Sequence, residues 1–136
     1  MESRLDKVIE NNKKRYNCAQ AIACAYSDLI NLDEKTVFKI TEGFGLGMGG
    51  MKCTCGAVSG ATMILSYLLS SGETENPTSK RSTYISVREI SDKFLEENGS
   101  LVCAELKSSH MANPQRSCLD CIKSATRILE EKLKEL

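Results

Sequence analysis

Residues 53–69 read CTCGAVSGATMILSYLL, the most apolar stretch of the chain. Its apolar residues lack the strict alternation of a half-buried strand, and its length suits a buried helix. The stretch is too short, and too rich in Ser and Thr, to span a bilayer. Gly56 and Gly60 give the first turns a smooth face that another backbone can approach closely. We therefore expect a central helix that begins after Cys55 and runs to about Leu69.

Helical periodicity continues on the N-terminal side of this stretch. The segment Arg4–Lys14 predicts a modest first helix. Asn17, with a glutamine three residues later, has the pattern of a capping box and predicts a second helix whose apolar stripe reaches Ile30. Asp33 is the expected N-cap of a third helix. The five glycines of GFGLGMGG, residues 43–50, then predict a loop, because so many glycines end a helix.

The C-terminal half is also predicted to be helical. A long helix is expected from about Thr78 to Asn98, and its inward residues are expected to be Tyr84, Val87, Ser91, Phe94 and Leu95. A short helix and a connection follow, and Ser117 is the expected N-cap of a last amphipathic helix. No stretch alternates with period two for long enough to predict a strand. The fold is therefore expected to be all-α, an irregular bundle of five or six helices.

Length and charge exclude several classes of function. The chain has 136 residues, the size of one domain, and we expect a single cysteine-rich helical domain over residues 1–136. Its 18 basic and 18 acidic residues cancel, so no overall positive field would attract nucleic acid or an anionic membrane. The N-terminus lacks the apolar run of a secretory signal, which predicts a cytoplasmic protein.

Seven cysteines are many for a chain that can build an ordinary core. The cytosol keeps thiols reduced unless they bind metal or take part in transient redox chemistry. Cys18, Cys55 and Cys118 are each predicted to lie in the first turn of a helix. Unpaired backbone N–H groups and the positive end of the helix dipole favour the thiolate there, the form that binds metal and attacks disulfides. The three predict a convergent thiolate site; the alternative is that each is a small core residue.

The remaining cysteines differ in their spacing. Cys24 lies about 240° around the second helix from Cys18, so it is expected to be a core residue. Cys118 and Cys121 have the Cys-x-x-Cys spacing of redox dithiols, on one face of a helix. The Cys-x-Cys pair that begins at Cys53 is a weak motif. The two pairs together do not match the paired knuckles of a zinc ribbon.

Few other residues suggest chemistry. His110 is the single histidine and is expected to be a solvated loop residue rather than a ligand or a base. The basic run Lys13-Lys14-Arg15 comes just before Cys18 and is expected to be a solvated helix end. The glycine-rich loop lacks the Gly-Lys-Ser/Thr of a phosphate-binding loop. Its glycines would let backbone N–H groups approach sulfur or a partner helix.

Several motifs taken together resemble a known family. They are NCAQA at 17–21, GFGLGMGG at 43–50, CGAVSGA at 55–61, CAEL at 103–106 and the later Cys118. This combination resembles the C_GCAxxG_C_C family, which is named for its cysteine pattern and its expected redox activity, over about residues 15–133. The resemblance implies an all-helical domain with four characteristic cysteines, which are Cys18, Cys55, Cys103 and Cys118.

The same domain is similar to the iron–sulfur part of split-Soret cytochrome c. That similarity implies a 2Fe–2S cluster as the cofactor held by the four characteristic cysteines, with zinc as the less favoured metal. Haem is not implied, because the chain has no Cys-x-x-Cys-His motif. Cys24, Cys53 and Cys121 are additions to the family pattern, and Cys53 and Cys121 could each substitute for a close neighbour.

Three functions are consistent with these features. The first is electron transfer through a metal site, with Cys18, Cys55, Cys103 and Cys118 as the ligands. The second is a metal-free thiol–disulfide redox protein that cycles Cys55, Cys118 and Cys121. The third is a helical interaction protein whose thiols are inert. The first two require a redox partner protein, and the smooth Gly56/Gly60 face would pack either within the chain or across a homodimer.

Overall fold

Helices follow the caps and apolar stripes of the sequence over most of the chain. The computed structural model describes residues 1–108 and 118–136 in full, and the backbone of residues 114–117. This part of the chain contains seven α-helices and no strand, so the all-α prediction is confirmed with a slightly higher helix count. The helices are α1 (Leu5–Lys13), α2 (Cys18–Ala25), α3 (Glu34–Thr41), α4 (Gly56–Leu69), α5 (Lys80–Asn98), α6 (Cys103–Ser108) and α7 (Pro114–Lys134).

The predicted caps of α2 and α3 are confirmed. The Asn17 side chain accepts a hydrogen bond from the backbone N–H of Gln20 at 2.9 Å, and the Gln20 side chain accepts one from the Asn17 N–H at 3.0 Å. Asp33 accepts from a backbone N–H three residues later at 3.3 Å. The second helix is shorter than predicted, because α2 ends at Ala25 and a 3₁₀ turn over Ser27–Ile30 carries the rest of the apolar stripe.

The central helix is α4, which packs against α2, α5 and α7. Its Ile64 and Leu65 are completely buried. A Cβ atom on Gly60 would lie 2.7 Å from the carbonyl oxygen of Ala19, so the two backbones are in direct contact. The smooth face of α4 therefore packs within the chain, against α2. No described helix, α4 included, is both long enough and apolar enough to cross a bilayer.

The buried stripe of α5 differs from the predicted one. Tyr84 and Leu95 were expected to face inward, but they are 58% and 42% exposed. Phe94 is buried, as predicted, but its buried neighbours are Thr83 and Ile90 rather than Tyr84 and Leu95. The helix has more apolar residues than its contact with α4 and α7 can cover, and the sequence pattern alone does not distinguish the covered ones.

The N-terminal segment is attached to α7 through Glu130. Its carboxylate accepts hydrogen bonds from the hydroxyl of Tyr26 at 2.6 Å, from the backbone N–H of Arg4 at 2.7 Å and from the hydroxyl of Ser3 at 2.7 Å. Tyr26 is completely buried, so its hydroxyl requires a partner of this kind. These bonds connect α2 and the first residues of the chain to the C-terminal helix.

Candidate functional site

A cavity of about 540 Å³ opens between the end of α1, the starts of α2 and α4, and the helices α6 and α7. Five of the seven cysteines line it: Cys18, Cys55, Cys103, Cys118 and Cys121. The structure therefore brings the four family cysteines to one place and adds Cys121 to them. Cys24 is 4% exposed and belongs to the hydrophobic core, as predicted. Cys53 is exposed and is not among the residues found to line the cavity in the described part of the chain.

Cys18 and Cys55 are held together by the close packing of α2 on α4. Cys18 is the first residue of α2 and follows the capping box at Asn17. The sequence had suggested that Cys55 lies in the first turn of α4. It is instead the N-cap, and the helix begins at the next residue, Gly56. Backbone N–H groups at the start of α4 nevertheless face the Cys55 sulfur. The helix start therefore stabilises a thiolate there even though the predicted position was off by one residue.

Cys118 lies deeper in its helix than predicted. We expected Ser117 to cap the last helix, but α7 begins at Pro114. Proline is favoured at the first helical position, where its missing N–H is not needed. Pro114, which had suggested a loop between two helices, therefore starts the last helix instead. Cys118 is therefore in the second turn, and the prediction that it lies in the first turn is wrong. The Cys-x-x-Cys spacing still places Cys121 on the same face, towards the cavity.

Cys103 is positioned by a short antiparallel contact. Thr54 and Val102 form an isolated β-bridge. Beside it, the Cys55 N–H donates to the carbonyl of Leu101 at 2.7 Å, and the Cys103 N–H donates to the carbonyl of Cys53 at 3.0 Å. These bonds fix the start of α6 against the segment that leads into α4.

The glycine-rich stretch 43–50 supports the same region. It contributes to a 3₁₀ turn over Glu42–Phe44 and to an irregular turn over Gly47–Met51, in which Met48 and Gly49 have non-helical backbone angles. A Cβ on Gly47 would lie 2.6 Å from the Cβ of Cys103, and the φ of Gly47 is +56°. Glycine is therefore needed at this position both for the backbone conformation and for the close approach to the cysteine.

Four of the sulfurs form a row. The Cys18 thiol lies close enough to the sulfurs of Cys118 and Cys55 to influence the pKa of both. Cys121 acts on the pKa of Cys55 in the same way. These contacts connect the sulfurs in the order 118, 18, 55, 121, with Cys18 next to both Cys55 and Cys118. Cys103 lies beside the row, within electrostatic reach of Cys55 and Cys118.

The contacts polarise the row into thiols and thiolates. Hydrogen bonds from Cys121 and Cys18, opposed by burial, lower the pKa of Cys55 to about 3. The contacts with Cys118 and Cys55, together with burial, raise the pKa of Cys18 well above its usual value. Cys18 therefore remains a thiol and donates to its neighbours, while Cys55 is a thiolate at neutral pH.

Cys118 is the second thiolate. The hydrogen bond from Cys18 has the largest influence on the pKa of Cys118 and lowers it. Burial acts in the opposite direction, and the nearby Lys107 ammonium lowers the pKa further, so that it falls to about 6. Burial opposes the charge on Lys107, but the negative charge of Cys118 outweighs it, so the pKa of Lys107 is raised. Burial raises the pKa of Cys103, with Lys107 opposing it. Lys107 was not identified from the sequence, although it follows Cys103 by four residues and so shares its helix face.

Two further cations line the cavity. Lys13 and Arg15 were expected to be a solvated helix end, and both are exposed, but their side chains also form part of the cavity wall. Lys14, between them in sequence, instead lies 5.1 Å from the ring centre of Tyr16. His110, predicted to be a solvated loop residue, lies outside the described residues.

The sulfurs suit some cofactors better than others. Thiolates are ligands for zinc and for iron–sulfur clusters alike. Among the residues that the structure describes, no three His, Cys, Asp or Glu side chains are grouped closely enough to hold one metal ion. A single zinc ion needs four ligands around one centre, and this arrangement does not provide them. A two-iron cluster distributes four cysteines over two irons, so it needs only pairs of neighbouring sulfurs.

Comparison with known proteins supports the family resemblance. No curated protein and no solved structure proved similar to the chain. A family model described as "Putative redox-active protein (C_GCAxxG_C_C)" matches residues 16–132, which include all seven cysteines and all helices from α2 to most of α7. With a match over most of its length, the chain belongs to the C_GCAxxG_C_C family.

Proposed function

We propose that the protein is a thiol–disulfide redox protein whose cavity cysteines alternate between dithiol and disulfide. The observation that carries this proposal is the row of four sulfurs, in which each neighbouring pair joins a thiol to a thiolate. Disulfide exchange needs these two species: a thiolate that attacks, and a neighbouring sulfur that resolves the mixed disulfide. Forming one S–S bond between a thiol and a thiolate of the row transfers two electrons to the incoming disulfide and releases one proton.

The neighbours in the row define the roles of the residues. Cys118 is half-buried and faces the cavity, so it is the sulfur best placed to attack an incoming disulfide, with Lys107 stabilising its thiolate. Cys18 then resolves the mixed disulfide. Cys55 and Cys121 form the equivalent pair deeper in the site. Disulfides are therefore expected between Cys18 and Cys118 and between Cys55 and Cys121, because a disulfide requires close Cβ atoms.

Mapping the disulfides by mass spectrometry tests this function. Mild oxidation of the reduced protein should remove two thiols at a time, reversibly, and the bridges should join neighbours in the row. Cys55→Ser should abolish the bridge to Cys121 and leave Cys121 as a thiol. The matched control is Cys24→Ala, which alters a core cysteine outside the cavity and should leave both bridges intact. Bridges that mainly involve Cys53 or Cys24 would contradict the proposal.

A second function, electron transfer through a 2Fe–2S cluster, is favoured by one specific observation. Five sulfurs from four segments of the chain line one cavity, more than a two-electron dithiol pair needs. Cys18, Cys55, Cys103 and Cys118 would hold the cluster, which supplies one-electron chemistry when bound. The chain would contribute burial and the positive charge of Lys107, two factors that tune cluster potentials.

Two cysteines separate the two functions experimentally. Cys103 is one of the four proposed cluster ligands but is not part of the row of sulfurs. Cys121 is part of the row but is not one of the proposed ligands. If the protein carries a cluster, anaerobic production with iron and sulfide should give about two irons per chain and visible absorbance. Cys103→Ser should then remove the iron, and Cys121→Ser should retain it. If the protein is a dithiol protein, Cys121→Ser should instead remove the Cys55–Cys121 bridge, and Cys103→Ser should leave both bridges in place.

A further inference from the structure

The cavity that holds the sulfurs has a positively charged wall. Lys13 and Arg15 contribute to one side of it, and Lys107 contributes to another. No carboxylate lines the cavity in the described part of the chain, and residues 109–117 contain no Asp or Glu. In a chain with zero net charge, the three cations outnumber the two thiolates of the cavity, Cys55 and Cys118, so the local field still favours anions.

Arg15 occupies a backbone position that favours glycine. The Arg15 N–H donates to the carbonyl of Asn12 at 3.1 Å, and the Tyr16 N–H donates to the carbonyl of Asn11 at 3.2 Å. These are the two hydrogen bonds of a Schellman motif, which ends α1 with Arg15 in the left-handed conformation at φ 73°. Glycine is the usual residue there because it has no Cβ. The chain therefore has a cation at this position in spite of the backbone strain.

We propose that the cavity binds small anionic disulfides and the thiols derived from them, molecules that combine a sulfur with one or more carboxylates. The carboxylates would contact Lys13 and Arg15 while the sulfur reaches Cys118. A volume of about 540 Å³ is within the usual range for small-molecule sites. Cys55, Cys103 and Cys121 are buried, so a flat protein surface could not reach the inner sulfurs, whereas a small molecule that enters the cavity could.

The exchange balances in two steps, and it rests on the thiol–disulfide function proposed above. The Cys118 thiolate attacks one sulfur of the small disulfide, forming a mixed disulfide and releasing one small thiolate. Cys18 transfers its proton to that thiolate and attacks the Cys118 sulfur, which forms the Cys18–Cys118 disulfide and releases the second small thiolate. The small disulfide gains the two electrons that the protein loses, and in the reverse direction two small thiols reduce the protein.

Three disulfides of similar size and different charge test the proposal. They are dithiodipropionate, which is anionic, hydroxyethyl disulfide, which is neutral, and cystamine, which is cationic. An unassisted thiolate would react fastest with cystamine, because the thiolate is itself negative. We expect the opposite order for the reduced protein, with dithiodipropionate faster than the neutral disulfide by about tenfold at low salt. The preference should disappear near 1 M salt, where charges are screened beyond about 3 Å.

Arg15→Gly tests the effect of the Arg15 charge on disulfide preference separately from its effect on stability. The variant removes a cation but relieves backbone strain, so its melting temperature should be equal to or higher than that of the wild type. Its preference for dithiodipropionate should nevertheless fall about threefold. Lys13→Gln should have a similar effect on the preference. The control is Lys14→Gln, which removes the same charge from a side chain that lies over Tyr16, and it should leave the preference unchanged.

The outcomes distinguish the two proposals. The protein could react with all three disulfides in the order expected of a simple thiolate, fastest with cystamine. This result would overturn the anion site but would not contradict the redox function. A protein that exchanges with none of them would overturn the redox function and, with it, the anion site. An equal loss of preference in Lys14→Gln and Arg15→Gly would also overturn the site, because it would reflect net charge alone.

Discussion

Gly60 of α4 lies directly against Ala19 of α2, so closely that a Cβ on Gly60 would be 2.7 Å from the Ala19 carbonyl oxygen and 3.0 Å from its Cα. Ala19 is the neighbour of Cys18, and Gly60 is one turn beyond the start of the helix that Cys55 caps. The contact therefore sets the separation of the two helix starts. That separation determines whether the Cys18 and Cys55 sulfurs touch.

Gly60→Ala should destabilise the protein and loosen the row of sulfurs. The new methyl group meets backbone, which cannot rotate away, and such overpacking costs about 1–3 kcal/mol. The gain in helix propensity of about 1 kcal/mol offsets only part of this cost. Urea unfolding should show a net loss of stability. Gly50→Ala is the control, because a Cβ there would meet no atom within 4 Å, and an equal loss in both variants would contradict the role of the contact.

Gly47→Ala should disturb Cys103 specifically. Gly47 and Gly49 both have positive φ, at 56° and 82°, so replacing either with alanine introduces backbone strain of about 1 kcal/mol. Only the Cβ at position 47 would meet Cys103, at 2.6 Å, whereas the one at position 49 meets nothing within 4 Å. Gly47→Ala should lose more stability than Gly49→Ala by thermal melting, because its Cβ also meets the carbonyl oxygen of Cys53, at 2.8 Å. Only Gly47→Ala should change the alkylation rate of Cys103, and a similar change in Gly49→Ala would rule out this explanation.

Alkylation of Cys118 should follow pH with a midpoint near 6. The hydrogen bond from Cys18 and the ammonium of Lys107 lower the pKa of Cys118 to about 6, despite burial and the negative charge of Cys55. Because only the thiolate reacts, iodoacetamide labelling should be slow below pH 6 and reach a plateau above it. Peptide mass spectrometry in a Cys53→Ser background measures the rate without the exposed thiol. Lys107→Met should move the midpoint to higher pH, and Lys14→Gln should not. A midpoint near that of an ordinary thiol, about 8.5, would contradict the arrangement.

Tyr26→Phe should destabilise the protein at neutral pH but not in acid. Burial acts to raise the pKa of Glu130, but the hydrogen bonds from Arg4, Tyr26 and Ser3 outweigh it, and the pKa falls below its usual value. A carboxylate with a lowered pKa stabilises the folded state above its unfolded pKa, and this contribution is lost as the pH falls through the folded pKa. The variant should therefore lose about 1–2 kcal/mol at pH 7 and much less near pH 3. Tyr16→Phe, which removes a longer hydrogen bond of 3.2 Å to the exposed Glu34, should have a smaller effect. A loss for Tyr26→Phe that does not vary with pH would contradict the role of Glu130.

Features that depend on adjacent residues could be predicted from the sequence. The capping box at Asn17 and the cap at Asp33 are local, because a side chain there reaches a backbone N–H three residues later. The core position of Cys24 follows from its angle around the helix relative to Cys18. Periodicity in the same way predicted an all-helical chain. These predictions require no knowledge of how the helices pack.

Features that depend on packing or on rare backbone conformations could not be predicted. Pro114 can end one segment or begin the next helix, and the sequence does not decide between these roles, so Cys118 was placed one turn too early. The approach of Cys121 to Cys55 depends on which face of α7 turns towards α4. The place of Arg15 in the cavity wall depends on a left-handed conformation that a non-glycine residue seldom adopts.

The order of the four sulfurs determines which second bridge can follow the first. A bridge at either end, between Cys118 and Cys18 or between Cys55 and Cys121, leaves the other two sulfurs adjacent, so a second bridge can follow and four electrons leave in total. A bridge between the two middle sulfurs, Cys18 and Cys55, instead leaves Cys118 and Cys121, which lie three residues apart in α7. The first pair to be oxidised therefore decides whether the second bridge connects two helices or lies within α7.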